Sequence, residues 1–367
     1  MSLLRILLFP ISLLYFLYQF IRNKLYDLKL IKYYEFDIPI ISVGNLSVGG
    51  TGKTPLVNYI ISILKNDYKI GFLSRGYGRD SSGYILANQT NDVIEIGDEP
   101  YLIKRNHKGV TVAVAEKRVI GIKNTIERVD NIQMFVLDDA FQHRNLKCSL
   151  NIVLSKFSNP YYNDFVLPTG NLREPKSGIK RAQIIIISKC PPELEINKRQ
   201  EIIKKIAPLS HQKVFFTTID YDHFLKGKDE IKVKDLFNSH ILLVTGIADS
   251  LELEKFLKKN KISFDHLKFN DHHKYSDYDI KTIKSKSINK KVITTKKDYY
   301  KIINNQSLNN IYYIDIKVKF LNDENNFKSE ILKTFKWCVF GLYKMILQVV
   351  HSQHEQILNL QQIFYRS

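Results

Sequence analysis

A chain of 367 residues, 44% hydrophobic and 12% aromatic, can bury a sizeable core; that excludes a disordered protein and favours two domains over one. Lys and Arg number 55 against 37 Asp and Glu, a formal charge of +18 that points to an anionic partner such as nucleic acid, phospholipid or a phosphorylated substrate. No basic motif with interleaved aromatics supports nucleic acid, and many lysines lie in Lys/Asn/Ile-rich stretches between 255 and 305 that read equally as solvated surface.

Residues 6 to 21, ILLFPISLLYFLYQFI, carry no charge, yet the run is shorter than the ~20 apolar residues of a spanning helix and contains Pro10. No A-x-A site follows it, which argues against a cleaved signal peptide. The flanking cations Arg5, Arg22, Lys24, Lys29 and Lys32 fit an interfacial helix within residues 1–32, with aromatic and Leu side chains among acyl chains and the cations on anionic headgroups. A helix packed on the protein's own core is the alternative. Under the first reading, deleting residues 1–24 releases the protein from membranes.

Next, IPIISVGN reads as a buried strand, followed by a glycine-rich loop and a helix through about Lys65. Further apolar runs follow at 69–79, 109–115, 132–140, 149–155 and 182–189. Their hydrophobicity is continuous rather than alternating, as in a mainly parallel sheet covered by helices on both faces. A second set, at 213–221, 240–259 and 290–302, reads as a smaller α/β domain; in its middle member Gly246 makes the turn and Asp249 or Ser250 caps a helix. The expected division is therefore 33–212 for the first domain, 213–336 for the second and 337–367 for a tail. In the tail, WCVFGLYKMILQVV and the Gln-rich stretch after it read as another surface helix or as a poorly ordered tail. Cys148, Cys190 and Cys338 form no CxxC pair, which argues against a disulfide framework or zinc site and fits buried thiols in a reducing compartment.

The glycine-rich loop carries the first chemical signal. Ser47, Val48, Gly49, Gly50, Thr51, Gly52, Lys53 and Thr54 approximate the phosphate-loop pattern G-x-x-x-x-G-K-[ST], with Ser47 in place of the first glycine. Glycines let backbone N–H groups close around phosphates, Lys reaches the terminal ones, and Thr holds magnesium. The helix behind adds its positive end. Such a site also needs a carboxylate at a strand end for the metal or its waters, and Asp138 with Asp139 closes IQMFVLDD in that way. Taken alone, Asp98 with Glu99 and Pro100 reads as a helix start, and His272 with His273 as a solvated turn.

The ordered set SVGNLSVGGTGKTP, LSRGYGR, GDEP, LDDAFQHR, LPTGNLREP and NDHHKY resembles the tetraacyldisaccharide 4'-kinase family, and the resemblance runs to about Phe335. It implies transfer of the γ-phosphate of ATP, with Mg2+, to the 4'-hydroxyl of an acylated glucosamine disaccharide 1-phosphate. The expected setting is the cytoplasmic face of the bacterial inner membrane, by an α/β protein of two domains, with no nucleic acid and no oligomer. Carried over by residue, Lys53 and Thr54 hold phosphates and metal, Asp138, Asp139 and Glu174 surround the metal, and Asp98 is the base, paired with His272 rather than His273. Arg75, His143 and Arg173 are candidates for anionic substrate or nucleotide. The rivals are a membrane-associated P-loop ATPase switch, whose signature lysine is replaced here by Val48, and a P-loop kinase or ligase with a soluble acceptor.

Overall fold

The computed structural model describes residue 5, residues 7–303 and residues 308–334. The tail from Trp337, with Cys338, lies outside them. Helix α1, Phe9–Asp27, outruns the apolar stretch at its carboxyl end, and Pro10 sits in its first turn, where a missing N–H costs nothing. Among the described residues no helix is long and apolar enough to cross a membrane. The polarity of α1 is reversed relative to a helix on a soluble core. Its polar stripe faces the protein: Ser12 Oγ donates to Thr169 Oγ1 at 2.8 Å, Tyr15 Oη to the Arg173 carbonyl at 2.6 Å and Asn23 Nδ2 to Glu174 Oε2 at 3.1 Å. Its apolar side chains face outwards, Leu14 69% and Leu17 51% exposed, with Leu13, Phe20 and Ile21 beside them.

The chain then lays down β1 (Ile40–Asn45), α2 (Lys53–Leu64), β2 (Ile70–Ser74), β3 (Ile85–Leu86), α3 (Val93–Ile96), α4 (Asp98–Asn106), β4 (Thr111–Val114), α5 (Arg118–Arg128), β5 (Met134–Asp138), β6 (Leu150–Lys156), β7 (Ile184–Ser188) and α6 (Ile196–Ile206). The second half adds β8 (Lys213–Lys226), β9 (Glu230–Lys232), β10 (His240–Thr245), α7 (Leu251–Lys259), β11 (Ser263–Lys268), α8 (Asp277–Lys286), β12 (Val292–Thr295), α9 (Lys296–Ile303) and β13 (Ile311–Phe320). Residues 324–334 form a last helix. The strands make one sheet in the order β11-β10-β12-β13-β8-β7-β6-β1-β5-β2-β4-β3, with β9 on β8. Pairing is parallel except at β8–β13, β3–β4 and β8–β9. Strands β1, β2, β5 and β7 are buried along their whole length, as their unbroken apolar sequences require of a doubly covered parallel sheet.

Strand β8 is shared between the two wings. Lys213–Phe216 pair in parallel with β7, and Thr217 onwards pairs antiparallel with β13. Chain packing therefore does not change at a single point. Phe215 of β8, Phe320 of β13, and Phe327 and Ile331 of the last helix join the core built by Ile41, Val43, Leu56 and Ile60 around β1 and α2. The other wing has its own cores, around Leu243, Leu253 and Leu257 on one face and Val244, Ile280 and Ile302 on the other. Cys148 and Cys190 are free, and burial pushes both thiols up to about 12, as inert structural cysteines behave.

Candidate active site

The register of β1 on β5 pairs Val43 with Asp138, so the phosphate loop and the acidic strand end leave the sheet side by side. Gly49 and Gly52 take φ of 102° and 89°, in the region that favours glycine, and Gly52 opens α2. The loop is clamped from three sides. Ser47 bridges Leu172, with Val48 N donating to the Asn171 carbonyl; Ser188 Oγ donates to the Thr51 carbonyl at 2.7 Å; and Asn45 Nδ2 donates to Thr51 Oγ1 at 3.1 Å. Ser47 thus serves where the usual pattern has glycine, because its backbone is extended against the 171–173 segment.

Lys53 Nζ lies 3.5 Å from Asp139 Oδ1, and Arg173 holds both Asp139 oxygens at 2.9 and 2.8 Å. Burial would raise the Asp139 carboxyl, but Lys53 and Arg173 hold it below its ordinary range. Asp138 is different. Burial, reinforced by the Glu99 charge, pushes it up to about 7 against the opposing Lys53, and its Oδ1 accepts no hydrogen bond from the described residues. Arg118, also buried, donates to the carbonyls of Ala115 and Asp138 and so fixes the turn that bears both aspartates. Nothing in its sequence context marks that role.

Opposite the phosphate loop, His272 Nδ1 donates to Asp98 Oδ2 at 2.9 Å, and Lys301 Nζ pairs with the same oxygen at 2.7 Å. Asp98 is indeed a helix start, the first residue of α4, and His272 sits in a turn with φ of 59°; both local readings hold together with the pairing. Burial would raise Asp98, but the His272 hydrogen bond and the Lys301 and Lys297 charges hold it below its usual value. Burial would lower His272, but the Asp98 bond and the Glu99 charge raise it. His273 instead pairs with Asp279 at 3.0 Å and stacks on Phe269.

These groups surround one cavity of about 1480 Å³. Lys53, Thr54, Asp138, Asp139, Arg75, His143, Arg173 and His272 all line it, as do Glu99 and Lys297, whereas Asp98 lies behind His272. Arg75 is exposed at the cavity; His143 is pushed down to about 4 by burial and the Arg118 charge, and is therefore neutral. Glu174 is not brought to the cavity with the others. Its carboxylate is held by Arg181 at 2.9 Å, Gln142 at 3.0 Å and Asn23, and it braces the LREP turn against α1. Among the described residues no group of three or more His, Cys, Asp or Glu is disposed to hold a metal. Thr54 and Asp138, whose buried Oδ1 accepts no hydrogen bond from the described residues, are cavity oxygens left open to a cation.

A phosphate loop sharing one cavity with a histidine backed by a carboxylate is the arrangement of a P-loop phosphotransferase. Residues 4–336 match the tetraacyldisaccharide-1-P 4'-kinase family, and the chain belongs to it. A tetraacyldisaccharide 4'-kinase of Flavobacterium johnsoniae is 42% identical over 337 residues, covering 92% of this chain and 98% of that one. One from Bacteroides thetaiotaomicron is 36% identical, covering 89% and 92%. The crystal structure of LpxK from Aquifex aeolicus in complex with ATP superposes with a TM-score of 0.74 at 33% identity, over 91% of this chain and all of that one.

Proposed function

We propose that this chain transfers the γ-phosphoryl group of ATP to the 4'-hydroxyl of a tetraacylated glucosamine disaccharide 1-phosphate, a step of lipid A biosynthesis, at a membrane surface. The observation that carries this reading is His272, bonded to Asp98 behind it, lining the same cavity as the phosphate loop. Asp98 has been the expected base, but both its neighbours bind one buried oxygen and hold its proton affinity down. The imidazole, raised and open to the cavity, is the better acceptor, with Asp98 fixing its tautomer. As the hydroxyl oxygen bonds to phosphorus, its proton passes to His272 Nε2. The bond between the γ-phosphorus and the bridging oxygen breaks, leaving the electron pair on ADP. Lys53 and the backbone of residues 49–54 bind the phosphates. Thr54 and Asp138 would hold Mg2+, which when bound neutralises charge on the phosphate oxygens.

The two wings of the sheet, close to the divisions 33–212 and 213–336, act as domains that close about the shared strands β8 and β13. Incubation with labelled ATP and the lipid disaccharide tests the reading: label moves into the organic phase for a lipid kinase, and only to inorganic phosphate for an ATPase switch.

The outward apolar face of α1 supports peripheral attachment at the cytoplasmic face of the inner membrane, with Lys and Arg on anionic headgroups. The triple substitution Leu14→Gln, Leu17→Gln, Ile21→Gln leaves the polar stripe in place. It is expected to abolish cosedimentation with anionic liposomes while ATP binding is kept; undiminished cosedimentation would refute the interfacial role.

A further inference from the structure

Helix α9 brings two lysines, one turn apart, to two adjacent carboxylates at the head of α4. Lys301 secures Asp98 from behind. Lys297 reaches further: its Nζ lies 2.5 Å from Glu99 Oε1, and that same oxygen is 3.9 Å from His272 Nε2. Lys297 lines the cavity with the phosphate loop, and its side chain keeps 25% exposure although its partner Glu99 has only 12%. Its charge, from the second wing, and that of Glu99, from the first, both bear on Asp138. Lys297 thus stands where the acceptor side and the donor side of the cavity meet.

Phosphoryl transfer spreads negative charge over three equatorial oxygens, and a cation supplied to them in addition to the phosphate-loop Lys is worth large factors in rate. The other cations around this cavity are mostly committed: Arg173 to Asp139, Arg118 to backbone carbonyls, Lys296 to Asp315. We infer that Lys297 is a further catalytic residue, an ammonium delivered by the second wing that leaves Glu99 to donate hydrogen bonds to the γ-phosphoryl oxygens during transfer. It keeps its protons throughout; the hydroxyl proton still goes to His272 and the electron pair to ADP. Glu99 serves as its resting partner, so the cation stays charged and aimed before nucleotide arrives. The inference rests on the kinase reading above.

Four proteins decide it: the full-length wild type, Lys297→Gln, Lys297→Met and the double variant Lys297→Met/Glu99→Gln. Each is assayed for thermal melting, for ATP affinity without lipid, and for kcat with labelled ATP and the lipid disaccharide in mixed micelles. Lys297→Met is expected to melt lower than wild type, because it strands a buried carboxylate, and the double variant to recover most of that loss. In both, kcat should stay about 10²-fold or more below wild type, as for loss of other donors to transition-state charge, with ATP affinity changed by no more than about threefold. Glutamine can still donate to Glu99, so Lys297→Gln should melt near wild type and show the same loss of kcat. A double variant that regains kcat together with its melting temperature overturns the inference, since Lys297 would then only partner Glu99. So does a Lys297→Gln enzyme with kcat within about threefold of wild type, or a defect confined to ATP affinity. A wild type that labels no lipid refutes the kinase reading itself, a separate outcome.

Discussion

His272→Ala is expected to lower kcat by about 10²–10⁴-fold, the usual contribution of a positioned base, and to leave ATP affinity essentially unchanged, because the imidazole bonds to Asp98 and not to the phosphate loop. The pH profile carries the sharper information. The His272 pKa is raised by Asp98 and Glu99, and only the neutral ring accepts a proton. Thus kcat/KM should rise with pH through that raised value and level off above it. Asp98→Asn removes the hydrogen bond and charge that raise the ring, so the acid limb should move to lower pH while kcat falls. Asp138, pushed up to about 7, contributes an acid limb of its own in this range, so the assignment rests on the shift with Asp98→Asn. A limb unmoved by Asp98→Asn would refute the imidazole assignment.

The second large effect concerns Asp138, where stability and activity should move in opposite directions. In the nucleotide-free protein its pKa is about 7, above the ordinary carboxyl value, so the fold disfavours the ionised form. The sign follows: this destabilisation is fully present above pH 7, on the order of a few kcal/mol at most, and is relieved as pH falls through 7. Asp138→Asn should therefore melt higher than wild type at pH 8, lose most of that advantage at pH 5, and lose at least about 10²-fold in kcat as the proposed metal-site donor disappears. Melting curves of both proteins at the two pH values check it. A variant less stable than wild type at pH 8 would show that the ionised carboxylate is compensated by contacts other than those described.

Much of this site could be read from the chain because its chemistry is local. Glycines 49, 50 and 52 before Lys53, and two aspartates closing an apolar run, each need only a strand and a turn to make sense. The strand-like stretches at 132–140 and 182–189 became β5 and β7, trimmed at their ends. Long-range order was less accessible. Ile219 to Phe224 are partly or fully exposed where that half of β8 pairs on β13, whereas Phe215 and Phe216 are buried on opposite sides of the first wing. One strand in two environments has no single periodicity. Nor does Phe327 announce that it returns to the core around α2, since its partner there, Tyr59, lies more than 250 positions away. The Lys-rich stretch between 255 and 305, read as solvated, contains Lys297 and Lys301. Their spacing on a helix beside Asp298 was a signal, but its meaning depended on α4 arriving from the other wing to meet them.

The reversed polarity of α1 has a consequence for how the acceptor is handled. Removing a single acyl chain of a dozen carbons from a bilayer would cost about 10 kcal/mol, far more than a sugar headgroup could regain from a few polar contacts. A helix that turns its apolar side outwards and hydrogen-bonds inwards to Arg173 and Glu174 would, at the proposed interface, fix the height of the cavity above the membrane plane. With the helix lying at the interface as proposed, the hydroxyl reaches His272 while the chains remain where they are, and the protein spends no binding energy on extracting its substrate.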